Sequence, residues 1–183
     1  LFMLVDRYIA RLLKLAGKER STAYKAIALA EGGIIFLGLI PWLLVRALEP
    51  FSSRIEFHWP QLIEKSLVII GLSFGLFFIL WAVWVQLTIG KGTPNLAAPP
   101  KKLIIRGPYK LCRNPLQLGV MFYYLGLGSW AANGTVGILS FTVALVFGSL
   151  YHRFVEEKEL QCRFGDEYEN YRRKTSFLIP WIW

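Results

Sequence analysis

The stretch SLVIIGLSFGLFFILWAVWVQLTI at residues 66–89 runs for 24 positions without a charged side chain. A helix that crosses the hydrocarbon core of a bilayer needs about 20 apolar residues, within a range of roughly 17–25. This stretch therefore predicts a membrane span. Working outward from it, residues 26–48 are apolar apart from Glu31 and contain Pro41. Residues 116–132 and 135–152 hold no Asp, Glu, Lys or Arg, and the Asn133-Gly134 turn signal separates them. A tight membrane hairpin suits these last two, because helices keep their backbone hydrogen bonds internal in lipid. The expected fold is all-α and integral to the membrane, with four transmembrane helices.

The composition agrees. The chain has 183 residues, 55% of them hydrophobic and 18% charged. Soluble domains average about 45–50% and 25%. Disorder is excluded, since so apolar a chain can offset its conformational entropy by burial. The formal net charge of +9 suggests nucleic acid as a partner until the charges are sorted along the chain. Eighteen of the 21 basic residues fall in three segments: residues 1–25, 91–113 and 153–174. Only Arg46, Arg54 and Lys65 lie elsewhere, near the first loop between spans, beside Glu49, Glu56 and Glu64. Four spans put the three rich segments on one face, and the positive-inside rule makes that face cytoplasmic, with both termini on it. The charge reports a lipid bilayer as partner rather than nucleic acid. No oligomeric state follows from it.

Residues 1–25 are expected to form an interfacial amphipathic helix, with Leu1, Val5, Tyr8, Leu12 and Leu15 on one face and Asp6, Arg7, Arg11 and Lys14 off it. The chain opens on Leu1 rather than Met, which leaves room for a segment upstream. Trp42, Trp59, Trp130, Trp181 and Trp183 fall near span ends or in the tail, as an interfacial belt requires, while Trp81 and Trp84 are expected to pack against another helix. The two cysteines, Cys112 and Cys162, fall on the cytoplasmic side, so no disulfide framework is expected. No Cys/His cluster has metal-ligand spacing.

Two polar clusters, residues 90–115 and 153–183, flank the hairpin, and its short turn brings them to one membrane surface. The first reads Gly-Lys-Gly-Thr-Pro at 90–94, Pro-Pro-Lys-Lys-Leu at 99–103, Gly-Pro-Tyr at 107–109 and Arg-Asn-Pro at 113–115. Proline fixes the backbone and glycine permits close approach, so this is a shaped loop rather than a spacer. Pro115 suits the first turn of the next helix, with Asn114 as its cap. In the second cluster, helical spacing puts His152 with Glu156 and Arg153 with Glu157. Gly165 is placed as a helix end, after which Tyr168 and Tyr171 start a further short helix.

These motifs, with Arg-Asn-Pro-Leu-Gln-Leu-Gly at 113–119 and the tail residues Glu156-Glu157, Leu160, Phe164-Gly165, Tyr168, Tyr171 and Pro180, resemble the isoprenylcysteine carboxyl methyltransferase family. That family is similar in this region to membrane phospholipid N-methyltransferases. The resemblance covers residues 88–180 and carries the signature Arg113, Pro115, Gly119, with Asn114 where better-known members have His. It implies one membrane methyltransferase domain over residues 1–183, whose C-terminal cytosolic helical tail forms a pocket for S-adenosyl-L-methionine, with no metal.

The implied cofactor-binding residues are Tyr109, Arg113, Asn114, Pro115, Gly119, Glu156, Glu157, Tyr168 and Tyr171. Carboxylates suit the ammonium group or ribose hydroxyls, Arg113 the carboxylate, and aromatic rings the adenine or sulfonium. Arg153, Arg172 and Arg173 are candidates to clamp a carboxylate acceptor, and Glu157 or His152 to take a proton from an amine or thiol. The implied reaction is methyl transfer to a lipophilic acceptor, an isoprenylcysteine-type carboxylate or related lipid. A phospholipid amine or small thiol is the alternative acceptor. An NADPH-dependent membrane reductase and a non-enzymatic scaffold are the alternatives of other classes.

Overall fold

A computed structural model of the chain describes residues 2–55 and 59–180, with side chains described from residue 6 onward. Leu1, the side chain of Val5, Glu56, Trp181 and Trp183 lie outside the described residues. The chain is helical throughout, with no strand among the described residues. Helix α1 is Phe2–Ala16. Helix α2, Thr22–Gly33, passes through a π-helical segment, Ile34–Leu39, into α3, Ile40–Ser52. Helix α4 is Gln61–Thr88, α5 is Pro115–Ala131 and α6 is Gly134–Tyr151. A second π-helical turn, His152–Glu156, leads directly into α7, Glu157–Lys174.

Three helical runs are long and apolar enough to cross a membrane: Thr22–Ser52, Gln61–Thr88 and Gly134–Lys174. The chain is a multi-pass integral membrane protein. Helix α5, the remaining expected span, has 17 residues, at the lower end of what spanning requires. The first two of these runs begin earlier than the apolar pattern suggests, at residues 22 and 61 instead of 26 and 66. Charges mark the bilayer edge, whereas caps mark the helix end. Ser21 Oγ accepts from the Tyr24 amide at 3.2 Å, and the Pro60 carbonyl accepts from the amides of Ile63 and Glu64.

The chain divides into two compact units. One comprises Gly33–Leu80 and Leu116–Gly148. Here glycine decides the packing of α4 on α5. A Cβ on Gly71 would lie 2.5 Å from the Gly126 backbone nitrogen, and one on Gly119 would lie 2.8 Å from the Ile79 nitrogen. Small residues let backbones approach closely, which membrane helices exploit because hydrophobic burial gives little drive between them in lipid. Phe74 and Phe122 fill the same seam, ring centroids 4.5 Å apart. Asn133 caps α6 by accepting from the Val136 amide at 3.1 Å. Glu64 accepts from the Gly134 amide at 3.2 Å, so the hairpin turn is held where the sequence signals it.

The π segment in this unit follows from Pro41. The Ile40 amide donates five residues back, to the Ile35 carbonyl. Proline then has no N–H to offer either Phe36 or Leu37. The hydroxyls of Tyr124 and Tyr123 supply the missing donors, to the Phe36 carbonyl at 2.8 Å and the Leu37 carbonyl at 2.9 Å. An unpaired carbonyl in hydrocarbon costs several kcal/mol. These two tyrosines are what allow a proline inside the span.

The other unit comprises Leu1–Gly32, Trp81–Pro115 and Ser149–Trp183. In it α1 packs against α7, burying Ile9 and Leu12 to 6% and 5% exposure. The apolar face therefore centres on Ile9 and Leu12, with Tyr8 exposed, because a partner helix rather than a face pattern selects what is buried. Trp81 is half-buried, whereas Trp84 is 61% exposed. The expectation that both pack against a helix is corrected for Trp84, which is three positions further on and points outward.

Candidate functional site

The polar clusters singled out in the sequence fall in this second unit, whereas residues 116–119 of the Arg-Asn-Pro motif belong to the first. The loop at 90–106 is shaped by its own hydrogen bonds. Fully buried Thr93 donates through its amide to the Ala98 carbonyl at 2.7 Å. The Asn95 side chain accepts from the Ala97 amide and donates to the Ala28 carbonyl on α2, both at 2.9 Å. Lys25 Nζ donates to the Lys91 carbonyl at 2.7 Å. On the other side, Arg163 of α7 donates to the Pro100 carbonyl and pairs with Glu159 at 3.0 Å. Both side chains of that pair are buried.

Arg113 is the centre of the second assembly. Its Nη1 donates to the carbonyls of Arg172 and Thr175, at 2.8 and 2.6 Å, and its Nη2 to Glu157 Oε1 at 2.7 Å. Its backbone amide donates to the Ser176 carbonyl at 2.9 Å. Asn114, the residue just before α5, continues the zip, its Nδ2 donating to the Phe177 carbonyl at 2.9 Å. The guanidinium also lies 5.7 Å from the Phe177 ring centroid. Carbonyls at the end of α7 have no intrahelical partner, and Arg113 satisfies that of Arg172 and that of Thr175 just beyond the helix. Glu157 meanwhile receives Arg153 Nη1 at 3.0 Å, with Arg172 Nη1 at 3.9 Å. One buried carboxylate thus faces three guanidinium groups.

Glu156, the neighbouring acid, points elsewhere and pairs with His152 Nδ1. The π turn separates their directions, the Glu157 amide donating five residues back to the His152 carbonyl. Beside Glu156 lies an aromatic group. Gln86, near the end of α4, hydrogen-bonds the Tyr109 hydroxyl, and Tyr171 donates to the Tyr109 carbonyl at 2.6 Å. Tyr168, fully buried, has its ring centroid 6.3 Å from that of Tyr171. Burial pushes the Tyr109 hydroxyl well above its ordinary pKa, against the Gln86 hydrogen bond and with help from Glu156. The hydroxyl is therefore a neutral donor and acceptor. Burial likewise pushes the Cys112 thiol up to about 11, against the Asn114 amide and the Arg113 charge.

A groove of about 800 Å³ runs between α1 and α7, within the range of small-molecule sites. Ile9, Ala10 and Leu13 line it from one side; Arg153, Phe154, Glu157 and Arg172 line it from the other. Of the expected acceptor clamps, Arg153 and Arg172 reach this groove. Arg173 does not line it; it is exposed and lies 3.5 Å from Glu169. Pro115 opens α5 and is buried, as expected. Gly119 belongs to the α4–α5 seam.

Gln86, Glu159, Arg163 and the carbonyls at 172–177 were not foreseen. Gln86 carried a signal, as the one carboxamide in the run 66–89. Its Oε1 and Arg113 Nε are both buried without a hydrogen-bond partner. An unpaired buried acceptor and an unpaired buried donor in this unit suit a polar ligand that brings both kinds of group. S-adenosyl-L-methionine does, with its ammonium, hydroxyls and carboxylate.

Several methanethiol S-methyltransferases are similar to this chain. That of Bradyrhizobium diazoefficiens, number 1, is 36% identical over 74 residues, 40% of this chain and 24% of the relative. That of Mycobacterium tuberculosis is 34% identical over 74 residues, 40% of this chain and 28% of the relative. The nickel-cobalt-cadmium resistance protein NccN of Alcaligenes xylosoxydans is 30% identical over 80 residues, 43% of this chain and 36% of the relative. The chain thus matches a quarter to just over a third of the length of these relatives. Residues 66–167, more than half of the chain, match the phospholipid methyltransferase family. The narrower isoprenylcysteine label gives way to this broader group, in which S-adenosyl-L-methionine is the cofactor. The chain belongs to the phospholipid methyltransferase family of membrane methyltransferases.

Proposed function

We propose that the chain transfers a methyl group from S-adenosyl-L-methionine to a small thiol at the membrane surface. The observation that carries the acceptor is the pair of methanethiol S-methyltransferases at 36% and 34% identity. The isoprenylcysteine carboxylate expected from the motifs has no such support. A thiol also needs no cationic clamp, and Arg153, Arg172 and Arg173 each already lie beside a carboxylate.

In this reading the two acids have different tasks. Glu156 meets the ammonium or ribose hydroxyls of the cofactor, alongside Gln86, Tyr109, Tyr168 and Tyr171. Arg113, with Nη1 committed to the tail, Nη2 to Glu157 and Nε open, holds the wall and offers one N–H. Asn114, Glu157 and Pro115 are positioning residues that keep the tail closed. When bound, the cofactor supplies a sulfonium-activated methyl group. The residues contribute orientation and exclusion of water, which can supply much of the rate of such a displacement. Four spans, both termini cytoplasmic, α1 at the membrane surface and one methyltransferase domain over 1–183 complete the proposal.

The test is incubation of the purified protein in detergent with methyl-labelled S-adenosyl-L-methionine and methanethiol, with headspace mass spectrometry for labelled dimethyl sulfide. Label in a lipid extract and none in the headspace would overturn the thiol reading in favour of a lipid acceptor.

A further inference from the structure

A thiol is a poor nucleophile until it loses its proton, and its ordinary pKa leaves little thiolate at neutral pH. Within the second unit, most groups that could accept that proton are already committed. Glu157 faces three guanidiniums, and Glu159 is buried against Arg163. Glu169 is engaged by Arg172 and Arg173. The Tyr109 hydroxyl is held neutral by burial. His152 is different. It stands at the exit of α6, on the π turn, half-buried rather than sealed, with Nδ1 on the Glu156 carboxylate. A carboxylate can only accept, so Nδ1 carries the hydrogen, and in the neutral imidazole Nε2 is left with its lone pair. That is the arrangement of an oriented base. A π turn in an otherwise α-helical run is also frequent at functional sites.

We propose that His152, oriented by Glu156, is the general base that takes the proton from the acceptor thiol. The inference rests on the thiol reading above. The S–H bond breaks as its proton passes to His152 Nε2. The acceptor sulfur then forms a bond to the donor methyl carbon, and the pair of the broken carbon–sulfonium bond stays on the departing sulfur, leaving a neutral thioether. The imidazolium returns its proton to water. The titratable and charged groups around His152 are Glu156 and Glu157 along its own helix, and Tyr151, which is hydrogen-bonded to Tyr8 of α1. Tyr109, Glu159 and Arg163 face Glu156.

The experiment is kcat/KM against pH, from 6 to 10, for the unsubstituted protein and His152→Gln, with ethanethiol and the more acidic 2,2,2-trifluoroethanethiol as acceptors. Glutamine can still hydrogen-bond Glu156, and calorimetric binding of S-adenosylhomocysteine reports whether the fold and cofactor site survive. The unsubstituted protein should rise through one ionisation to a plateau. His152→Gln should lose roughly 100-fold or more at pH 7, recover as pH rises, and be rescued by the acidic thiol, with S-adenosylhomocysteine affinity within about twofold. Equal profiles for the two proteins overturn the assignment of His152 and leave the thiol reading intact. If the variant fails to bind S-adenosylhomocysteine, the unsubstituted profile decides: a tenfold rise per pH unit with no plateau overturns the proposal. Absence of methylation of any thiol by the unsubstituted protein overturns the thiol reading and the base together.

Discussion

Arg113 Nη2 and Glu157 Oε1 lie 2.7 Å apart, on side chains only 9% and 7% exposed. Two residues 44 apart in sequence thereby lock the loop before α5 to the start of α7. Without Arg113, Glu157 keeps Arg153 and Arg172, but the carbonyls of Arg172 and Thr175 lose their donor, at about 1–3 kcal/mol. Arg113→Ala should therefore destabilise the protein by about that amount, and Arg113→Lys should rescue little, since one ammonium cannot reproduce the fork. Denaturation in detergent measures the loss. Limited proteolysis should show cleavage near residues 172–177 appearing first. An unchanged unfolding midpoint for Arg113→Ala would show that the tail does not depend on this residue.

Tyr123→Phe and Tyr124→Phe should each cost about 1–3 kcal/mol, because each leaves a carbonyl of the π segment without its donor. Pro41→Ala restores an N–H there. In that background the cost of Tyr123→Phe or Tyr124→Phe should fall, a coupling that a double-mutant cycle reads directly. Strict additivity would mean that the tyrosines do not compensate the proline.

Gly71→Leu should disrupt folding, since even a Cβ meets the Gly126 backbone and that backbone has nowhere to go. Gly33→Leu, at a site with open space around it, should cost little beyond altered helix propensity. Expression and monodispersity in detergent compare the two.

Cys112 is buried with its thiol pushed up to about 11, whereas Cys162 is exposed. At pH 7 a maleimide should label Cys162 and spare Cys112 until denaturant is added. Mass spectrometry of the labelled peptides checks it. Rapid labelling of Cys112 in the folded protein would show that the Arg113 region opens readily.

Much of the fold was legible because lipid imposes long uncharged runs, and 66–89 and 135–152 declare themselves without a partner. The turn at Asn133-Gly134 was legible for the same local reason, as was the break at Gly165, where φ is 51°. The site was only half legible. Motif spacing brought Arg113, Glu157, Tyr109 and Tyr171 into one unit. It could not show that Arg113 spends its Nη1 on backbone carbonyls, because carbonyls have no sequence signature. Nor could it find Arg163, whose partner at Pro100 is set by the loop's path. Trp84 was misread because an apolar span gives no period by which to tell its inner face from its outer one.

The π turn at 152–156 has a consequence for how paired acids are compared between proteins. Each residue of an α-helix advances roughly 100° about the axis, and a π turn absorbs one extra residue. With plain α-helical winding out of α6, the place opposite Arg113 would go to Glu156, and Glu157 would swing away from it. Which of two chemically identical neighbours closes the tail and which is left for a ligand is thus set by helical phase. A one-residue deletion at 153–155 should leave Glu157 on Arg113, while aligning the two glutamates by sequence alone would exchange their roles.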